Sequence, residues 1–345
     1  MQFGITMFGD LRFSVEEQKM QAPKERLKEM IEEIKLMDEV GLDYFGLGEH
    51  HRDDYAVSAP EIILAAASIQ TKNIILGSAV SVLSSSDPVK LFQDFSMIDQ
   101  LSDGRIEVMA GRGSFIESFP LFGYELENYN ELFEEKLDLL IKLNQQNPIT
   151  WNGKFRPSLK QQSIFPRPQQ DQLPVWIAVG GTPESIDRAA KLGLPVMFAI
   201  IGGNYKEYKP LFDYYRQSYQ AYGHDMSAFQ MGVHMHSFFV DDEKDLMQIH
   251  YPNYAAQIDR IGKGRGWPRY TPQRYAQGRS KQGHLVVGDV SSTQDKILEI
   301  IETFGLSRFA AHLDTGAARS HLDMMRAIEI YGTKIIPEVK KSLHK

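Results

Sequence analysis

Three side chains that can hold or move protons stand together near the start of the chain. Glu49, His50 and His51 directly follow Tyr44–Gly48, an apolar stretch with two glycines that has the composition of a short buried strand. Histidine is the side chain whose charge changes most readily near neutral pH. In parallel α/β proteins, ligands bind at the carboxyl ends of strands. The triplet therefore predicts a catalytic or binding site, whereas the alternative is a surface loop that holds two histidines.

Two other predicted strand ends carry residues that suit an anion. One is Gly111-Arg112-Gly113, and the other is the Gly-Gly-Thr-Pro-Glu-Ser sequence of Gly180–Ser185. Glycine lets a backbone approach a ligand, Thr182 can cap the next helix, and Pro183 pre-sets its first turn. The amino end of that helix and the arginine fork both favour a phosphate. The alternative is an ordinary capped helix with a surface salt bridge.

Several other chemistries are disfavoured. The chain has no cysteine, which excludes disulfides, thiolate metal sites and cysteine nucleophiles. No Gly-x-Gly-x-x-Gly follows the first predicted strand and no Walker pattern occurs, so a nicotinamide cofactor held in that way is not expected. Adjacent His50 and His51 point to opposite sides of an extended segment, which disfavours chelation of one ion. His234 and His236 share a strand face and His312 ends another strand, so a metal hydrolase stays conceivable, but we expect no metal.

Charge and hydropathy narrow the class of protein further. The 345 residues include 38 basic and 45 acidic side chains, a net charge of −7 that argues against a nucleic-acid partner. No apolar run approaches the ~18–20 residues of a membrane helix. The first predicted strand begins at Gln2 with no export signal before it. We therefore expect a cytoplasmic protein with no membrane partner.

Strand and helix patterns alternate along the whole chain, with short connections. Eight strands favour a closed (β/α)₈ TIM barrel over an open sheet, and residues 1–345 are predicted to form a single domain. The predicted strands are Gln2–Phe8, Tyr44–Gly48, Ile74–Leu83, Ile106–Ala110, Val175–Val179, Val196–Ile201, Gln230–Val240 and Arg308–Leu313. The predicted helices are Pro23–Gly41, Ala59–Thr71, Asp87–Gly104, Glu184–Leu192, Tyr205–Tyr222, Glu243–Ala256 and Leu322–Leu343.

Three surplus segments lengthen the barrel, after its fourth and seventh strands. They are Ser114–Asn128, Asn147–Leu173, which contains an Asn-Gly hairpin signal, and Asn253–Gly288. The last is rich in arginine, lysine and glycine, which predicts a lid over the site; the alternative is a mobile, solvated basic loop. We place Phe8, His51 and Arg274 on the substrate or lid side of the site.

A series of short motifs connects these features. They are Gly46–His51, Leu76–Leu83 leading to Asp87-Pro88, Ile98–Arg105, Gly111–Gly113, Leu121–Gly123, Leu173–Trp176, Gly180-Gly181, Ala189–Pro195 and Gly202–Asn204. With these motifs in order, the chain resembles the bacterial luciferase-like family of flavin-dependent monooxygenases over nearly its whole length. The resemblance implies a barrel that binds flavin mononucleotide (FMN) at the carboxyl ends of its strands.

The resemblance also implies roles for individual residues. His50 matches the histidine that serves as catalytic base or proton relay. Ala79-Val80 matches a bulge of the third strand whose non-prolyl cis peptide supports the flavin ring, and Gly111 matches a position beside the flavin that is cysteine in luciferase. Arg112 and the turn at Gly180–Ser185 match the phosphate clamp. The cofactor-binding residues so predicted are Glu49, Ala79, Val80, Gly111, Arg112, Gly180, Gly181, Thr182 and Ser185.

Two departures from the family pattern shape the expected function. Gly180 and Gly181 replace a glutamate and a serine of luciferase-type phosphate sites, so backbone amides would have to bind the phosphate. Phe198–Ile201 lacks the tryptophan of the light-emitting enzymes, so light emission is not expected. We therefore predict a homo-oligomeric monooxygenase that oxygenates a small organic substrate with O₂ and reduced FMN, the latter from a separate NAD(P)H:flavin reductase. The alternatives are a deazaflavin (F420)-dependent dehydrogenase and a non-catalytic FMN-binding protein.

Overall fold

Eight parallel strands form a closed ring in the computed structural model, which describes residues 1–14, 18–113, 115–263, 265–313 and 318–343. Each strand pairs with the next, and the last pairs with the first in the register Gln2–Thr6 to Arg308–His312. The predicted barrel is therefore confirmed. Its strands are β1 Gln2–Met7, β2 Tyr44–Leu47, β3 Ile75–Ser78, β4 Ile106–Gly111, β5 Val175–Val179, β6 Val196–Ile200, β7 Met231–Phe239 and β8 Arg308–His312.

A helix follows each barrel strand. Most of these helices have proline in the first turn, where its missing amide costs nothing. The helices are α1 Pro23–Glu39, α2 Pro60–Ser68, α3 Pro88–Leu101, α4 Tyr129–Gln145, α5 Pro183–Leu192, α6 Lys209–Ala221, α7 Val290–Phe304 and α8 His321–Ile330, which continues through a π-helical turn, Tyr331–Ile335, into Ile336–Leu343. Helices α4 and α7 were not among the predicted helices. No described helix is both long and apolar enough to span a bilayer.

The third strand is shorter than the predicted Ile74–Leu83. It ends at Ser78, and a cis peptide bond joins Ala79 to Val80, as the resemblance implies. Pairing with β4 then resumes at Ser81–Val82. The break turns the backbone at this strand end into the interior of the ring, where Ala79 belongs to the inner cluster of side chains.

The insertions are more ordered than their composition indicates. Short strands Ile149–Trp151 and Leu159–Gln162 form the predicted hairpin, but its turn spans residues 152–158 rather than two residues. The carboxylate of Glu135 accepts backbone hydrogen bonds from Lys154, Phe155 and Arg156, which holds the wider turn open. After β4, a helix Ser118–Phe122 and a turn Leu126–Asn128 lead into α4, and Ser114 lies outside the described residues.

The segment predicted as a lid contains regular structure. Helices Tyr251–Lys263 and Pro272–Arg279 are followed by a short strand Val286–Gly288 that pairs with β7. The predicted helix Glu243–Ala256 is replaced by Tyr251–Lys263 and by a shorter helix, Leu246–Ile249, which precedes the lid segment. Aromatic packing stabilises this segment, because His250, Tyr254 and Tyr275 are buried against one another. A wholly solvated loop does not describe it.

Alternation along the strands divides the core into two layers. On β1, Phe3, Ile5 and Met7 face the surrounding helices, while the residues between them face the inside of the ring. The inner cluster comprises Tyr44, Ala79, Met109, Trp176, Met197 and Ala310. Polar side chains continue this inner layer towards both ends of the barrel, and the carboxyl end holds the predicted site.

Candidate active site at the carboxyl end of the barrel

A cavity of about 340 Å³ lies at the carboxyl ends of the strands. Of the residues predicted for the site, nine line it: Phe8, Glu49, His50, His51, Ala79, Val80, Gly111, Arg112 and Gly180. They come from β1 to β5 and the turns that follow these strands. The structure thus brings the predicted histidine, the strand-three bulge and the glycine–arginine turn into one enclosed space.

His50 lies between aromatic rings at the wall of this cavity. Its ring centroid is 4.3 Å from that of Tyr55, 4.6 Å from Phe115 and 5.0 Å from Phe8. Burial, helped by the charge of Arg52, lowers the pKa of His50 to about 3, so the imidazole is neutral at neutral pH. Its Nε2 has no hydrogen-bond partner among the described residues. The uncharged ring therefore places a nitrogen with spare hydrogen-bonding capacity at the cavity wall.

The neighbouring residues of the triplet form part of the same wall. Glu49 Oε1 lies 3.6 Å from His51 Nε2, and the His51 ring packs edge-on against Phe122 at 5.2 Å. Beyond them, Arg52 pairs with Asp54 at 2.8 Å. Arg52 is thus held beside His50 by an ion pair with Asp54, and the imidazole itself stays uncharged.

Arg112 is fixed in place by its neighbours. Its Nη1 donates to Asn130 Oδ1 at 2.6 Å, and its guanidinium lies 5.1 Å above the Tyr129 ring. The Tyr129 hydroxyl donates in turn to the Gly113 carbonyl at 2.9 Å. At Gly180, a Cβ atom would meet no heavy atom within 4 Å, so this turn is open towards the cavity. A cation held beside an open glycine turn is an arrangement that suits a phosphate.

The start of α5 differs from its prediction in one respect. Thr182 occupies the N-cap position, but its side chain does not cap the helix backbone; its hydroxyl donates to Ser185 Oγ at 3.0 Å. The Ser185 hydroxyl donates in turn to the Thr182 carbonyl at 2.8 Å, so both hydroxyls form hydrogen bonds within this turn. Gly181, Thr182 and Ser185 follow the cavity wall in sequence but do not line it.

One wall of the cavity is apolar. Val80, Val82 and Met109 line it, and Gly111 lies against Val80. A Cβ atom at Gly111 would lie 2.6 Å from Val80 Cγ2, so the structure leaves no room for the cysteine that luciferase carries at the matching position. An apolar wall next to an anion site fits a ligand that has both an aromatic ring system and a phosphate, as FMN has.

Other lining residues were not predicted for the site. Thr6, Met109, Ala178, Met197, Ala199, Tyr129 and His234 all face the cavity. Except for Tyr129, they lie on the inward-facing positions of β1, β4, β5, β6 and β7. Alternation with a period of two, applied from Phe8 and His50 to the other strands, is the sequence signal that could have found them.

Arg274, which was predicted for the substrate or lid side of the site, does not line this cavity. Arg274 lines a second cavity, which Tyr254 and Ile258 also line, and its guanidinium lies 5.1 Å from the Tyr270 ring. Arg265, another cation of the predicted lid, lies 4.8 Å above Phe115 at the first cavity. In the described part of the chain, one group of side chains has metal-compatible spacing, Glu29, Glu33 and His321. It lies between α1 and α8, where Arg26 already pairs with Glu33 at 2.7 Å.

Comparison with known proteins agrees with this geometry. A sequence profile described as "Luciferase-like monooxygenase" matches residues 1–331. The chain belongs to this family. The oxygenase component of flavin-dependent trigonelline monooxygenase from Acinetobacter baylyi is 23% identical over 319 residues, 86% of each chain. The alkanal monooxygenase alpha chain of the Kryptophanaron alfredi symbiont is 27% identical over 205 residues, 59% of this chain and 57% of that one.

Solved structures of this family and related barrels superimpose over nearly the whole chain. Monooxygenase RslO1 from Streptomyces bottropensis has a TM-score of 0.82 at 20% identity and covers 98% of this chain and 99% of its own. The oxygenating constituent of 3,6-diketocamphane monooxygenase from Pseudomonas putida, in complex with FMN, has a TM-score of 0.78 at 18% identity and covers 98% of both. The F420-dependent tetrahydromethanopterin reductase from Methanopyrus kandleri has a TM-score of 0.71 at 15% identity, covering 98% and 99%. These likenesses establish the luciferase-like fold.

Proposed function

We propose that this protein is an FMN-dependent monooxygenase that oxygenates a small organic substrate with O₂ and reduced FMN. The observation that carries the proposal is the combination, in one cavity, of a neutral His50, an apolar wall at Ala79–Val80 and Gly111, and the fixed cation Arg112. Reduced FMN bound there would supply the electrons that activate O₂. Membership of a flavin-dependent monooxygenase family supports this choice.

Each residue has a defined task in this proposal. Arg112 and the open turn at Gly180 bind the phosphate, and Val80 and Gly111 support the ring. His50 is uncharged at neutral pH, so its Nε2 can take a proton from the substrate or return one in the course of oxygenation. The apolar lining excludes water, which would otherwise compete with the substrate for activated oxygen.

Anaerobic titration with reduced and oxidised FMN tests the proposal. We expect the reduced form to bind more tightly, and aeration of that complex with a substrate to give an oxygenated product. His50→Gln should bind reduced FMN normally yet lose about 10²–10⁴-fold in product formation, the range of general acid–base catalysis. His224→Gln is the matched control, because His224 hydrogen-bonds the Lys191 carbonyl on the outside of the barrel. Equal binding of oxidised FMN without oxygenation would overturn the proposal.

A comparison of FMN with riboflavin tests the assignment of the phosphate site to Arg112. Riboflavin has the ring of FMN without the phosphate, so Arg112→Gln should weaken FMN binding about tenfold or more and leave riboflavin binding unchanged. Equal loss for both ligands would show that Arg112 supports the fold rather than the phosphate. The same titration with F420 separates FMN from the deazaflavin that the Methanopyrus reductase uses.

A separate reductase is part of the proposal. The Acinetobacter relative is named as the oxygenase component of its system, which supports a division of labour between two proteins. We expect the purified protein to turn over when an NAD(P)H:flavin reductase is added and to be inactive with NAD(P)H and FMN alone. Turnover without the reductase would show that this chain reduces its own flavin.

Self-association completes the proposal. Helices α2 and α3 pack against each other, and the apolar side chains Ile62, Met97 and Leu101 are more than half exposed on them. Apolar surface of this kind is commonly covered by another subunit. Sedimentation velocity should show a homo-oligomer, which Ile62→Glu with Met97→Glu should dissociate. A monomer at micromolar concentration would contradict this part.

A further inference from the structure

A threonine hydroxyl joins two buried histidines at the carboxyl end of the barrel. Thr6 Oγ1 lies 2.9 Å from His234 Nδ1 and 3.3 Å from His312 Nδ1, although the three residues come from β1, β7 and β8. Thr6 and His312 are each 1% exposed, and His234 is 8% exposed. Burial lowers the pKa of His234 to about 4 and holds that of His312 well below its usual range, so both rings are neutral at neutral pH.

The two contact distances assign the hydrogens of both rings. The Thr6 hydroxyl has a single hydrogen, which it can donate to only one of the two rings. Its contact with His234 Nδ1 at 2.9 Å is shorter than its contact with His312 Nδ1 at 3.3 Å, so we assign the donated hydrogen to His234, while His312 carries its own hydrogen on Nδ1 and donates to Thr6 Oγ1. A neutral imidazole that accepts at Nδ1 must carry its hydrogen on Nε2. His234 is therefore an Nε2–H donor.

This donor belongs to the cavity wall that faces the proposed flavin position. His234 lines the cavity on β7, and three strands separate β7 from β3 in either direction around the ring. A flavin ring against Ala79–Val80 on β3 therefore leaves the space before His234 for a second molecule. Around His234, the lining residues of β1 and β6 are Thr6, Phe8, Met197 and Ala199, none of which carries a charge.

We propose that His234 binds an uncharged substrate by donating a hydrogen bond from Nε2 to its carbonyl oxygen, with Thr6 and His312 as the positioning residues that fix this tautomer. A carbonyl oxygen matches a single neutral donor, whereas a carboxylate or sulfonate would bring an unpaired charge into this apolar wall. The placement of the substrate rests on the proposed function, because the flavin ring defines its other boundary. The tautomers of the histidines do not depend on it.

Nitrogen-15 NMR of histidine-labelled protein tests the positioning step without turnover. We expect His234 to be protonated on Nε2 and His312 on Nδ1, both with and without FMN. Thr6→Val keeps the side-chain shape but removes the hydroxyl, and it should give mixed tautomers at His234. Thr6→Ser restores the hydroxyl and should restore the single tautomer. An Nδ1–H form of His234 in the wild-type protein, or no change in Thr6→Val, would overturn the proposal.

A pair of matched probes tests the binding step. Cyclohexanone and methylenecyclohexane have nearly the same shape, but only the ketone has an acceptor oxygen. On the complex with FMN under anaerobic conditions, we expect the ketone to bind about tenfold more tightly and to shift the Nε2–H resonance of His234. His234→Phe should abolish the preference while binding methylenecyclohexane as before. Equal binding of the probes, or binding of neither, would overturn the substrate assignment.

A further titration distinguishes a carbonyl of the substrate from a carbonyl of the FMN ring. FMN has ring carbonyls of its own, so a shift of the His234 Nε2–H resonance on FMN addition that blocks the ketone shift would assign the acceptor to the cofactor and overturn the substrate assignment. Failure of FMN binding altogether would contradict the proposed function instead, and the tautomer measurement on the protein alone would stand apart from that result.

Discussion

The two ends of the barrel interior solve the problem of buried polar groups in opposite ways. At the amino end, Arg308 and Glu107 form a two-pronged ion pair, and the guanidinium lies 4.2 Å from the Tyr44 ring and 4.0 Å from the Trp176 ring. At the carboxyl end, the buried histidines are neutral and surround a cavity. The buried charges at the amino end, the closed end, are compensated within the protein. The carboxyl end keeps hydrogen-bonding capacity for a ligand.

This difference agrees with the position of the active site in barrel enzymes, which is at the carboxyl ends of the strands. An ion pair that is complete within the chain closes the interior and offers nothing to a substrate. Gln2 extends the pair, since its Oε1 accepts from Arg308 at 2.7 Å and 2.9 Å. At the carboxyl end, burial suppresses the charge of each histidine without supplying a partner for His50 Nε2 among the described residues. Protonation should therefore damage the second end far more than the first.

The largest predicted effect is a loss of stability in mild acid. The pKa of His50 and of His236 is lowered to about 3 and that of His234 to about 4, chiefly by burial, and that of His312 is also lowered. Between pH 6.5 and 4 the unfolded chain binds protons at these rings and the folded chain does not. The stabilisation is therefore complete above about pH 6.5 and falls as pH drops, by up to about 1.4 kcal/mol per histidine per pH unit.

Urea unfolding between pH 7.5 and 4.5 measures this dependence. His312→Asn should remove about a quarter of the slope contributed by the four histidines. His321→Asn is a control of opposite sign, because the hydrogen bond that the His321 ring donates to the Glu33 carboxylate raises the pKa of His321, so its contribution is lost as pH rises rather than falls. A free energy of unfolding that does not change between pH 7 and 5 would contradict the assignment of neutral buried rings.

The second prediction concerns the closed end. Arg308→Met leaves Glu107 buried without its partner, and we expect the free energy of unfolding to fall by about 3–5 kcal/mol. The double variant Arg308→Met with Glu107→Leu removes both charges and should recover most of that loss. Urea unfolding of the two variants measures the difference. If the double variant were no more stable than the single one, packing around Tyr44 and Trp176 rather than the unpaired charge would be the cause.

The features of the two barrel ends were predictable from sequence where they depend on neighbouring residues, and not where they depend on contacts between distant ones. The barrel follows from repeated strand–helix alternation, and the strand ends at His50 and Arg112 follow from local composition. The contact between Thr6 and His234 joins residues 228 positions apart, so it depends on how the ring closes and on the strand register. The pairing of Arg308 with Glu107 has the same origin. Single-strand patterns do not contain register, and alternation could have indicated only that these side chains face inward.

Other differences came from competing local interactions. Thr182 has the residue type of a helix cap, but the Ser185 hydroxyl beside it offers a competing partner. Asn152-Gly153 has the composition of a tight hairpin turn, but Glu135 binds the following backbone amides and widens the turn. The arginine-rich segment after β7 resembles a loop in composition, yet tyrosines such as Tyr254 and Tyr275 bury it as helices. A neighbouring hydroxyl outweighed the local preference in the first case, and partners farther along the chain did so in the other two.

The third prediction compares two glycines of the cavity wall. Gly111→Ala would place its Cβ 2.6 Å from Val80 Cγ2, and we expect a loss of about 1–3 kcal/mol in stability together with weaker FMN binding. Gly180→Ala points into open space, so its stability should stay within about 0.5 kcal/mol of the wild type while FMN binding weakens. Thermal unfolding and FMN titration of both variants make the comparison. Equal destabilisation would show that the wall at Gly111 yields easily.

The smallest predicted effect tests how Arg112 is positioned. Tyr129→Phe keeps the ring under the guanidinium but removes the hydroxyl that donates to the Gly113 carbonyl. We expect a loss of about 1 kcal/mol in stability, and FMN binding weaker by no more than about tenfold with riboflavin unchanged, because only the hold on the phosphate cation is loosened. Tyr222→Phe is the control, since its hydroxyl bonds Asp187 at the surface. A similar loss for riboflavin would show that Tyr129 also supports the wall that binds the flavin ring. The phosphate site and the ring site would then both depend on this one side chain.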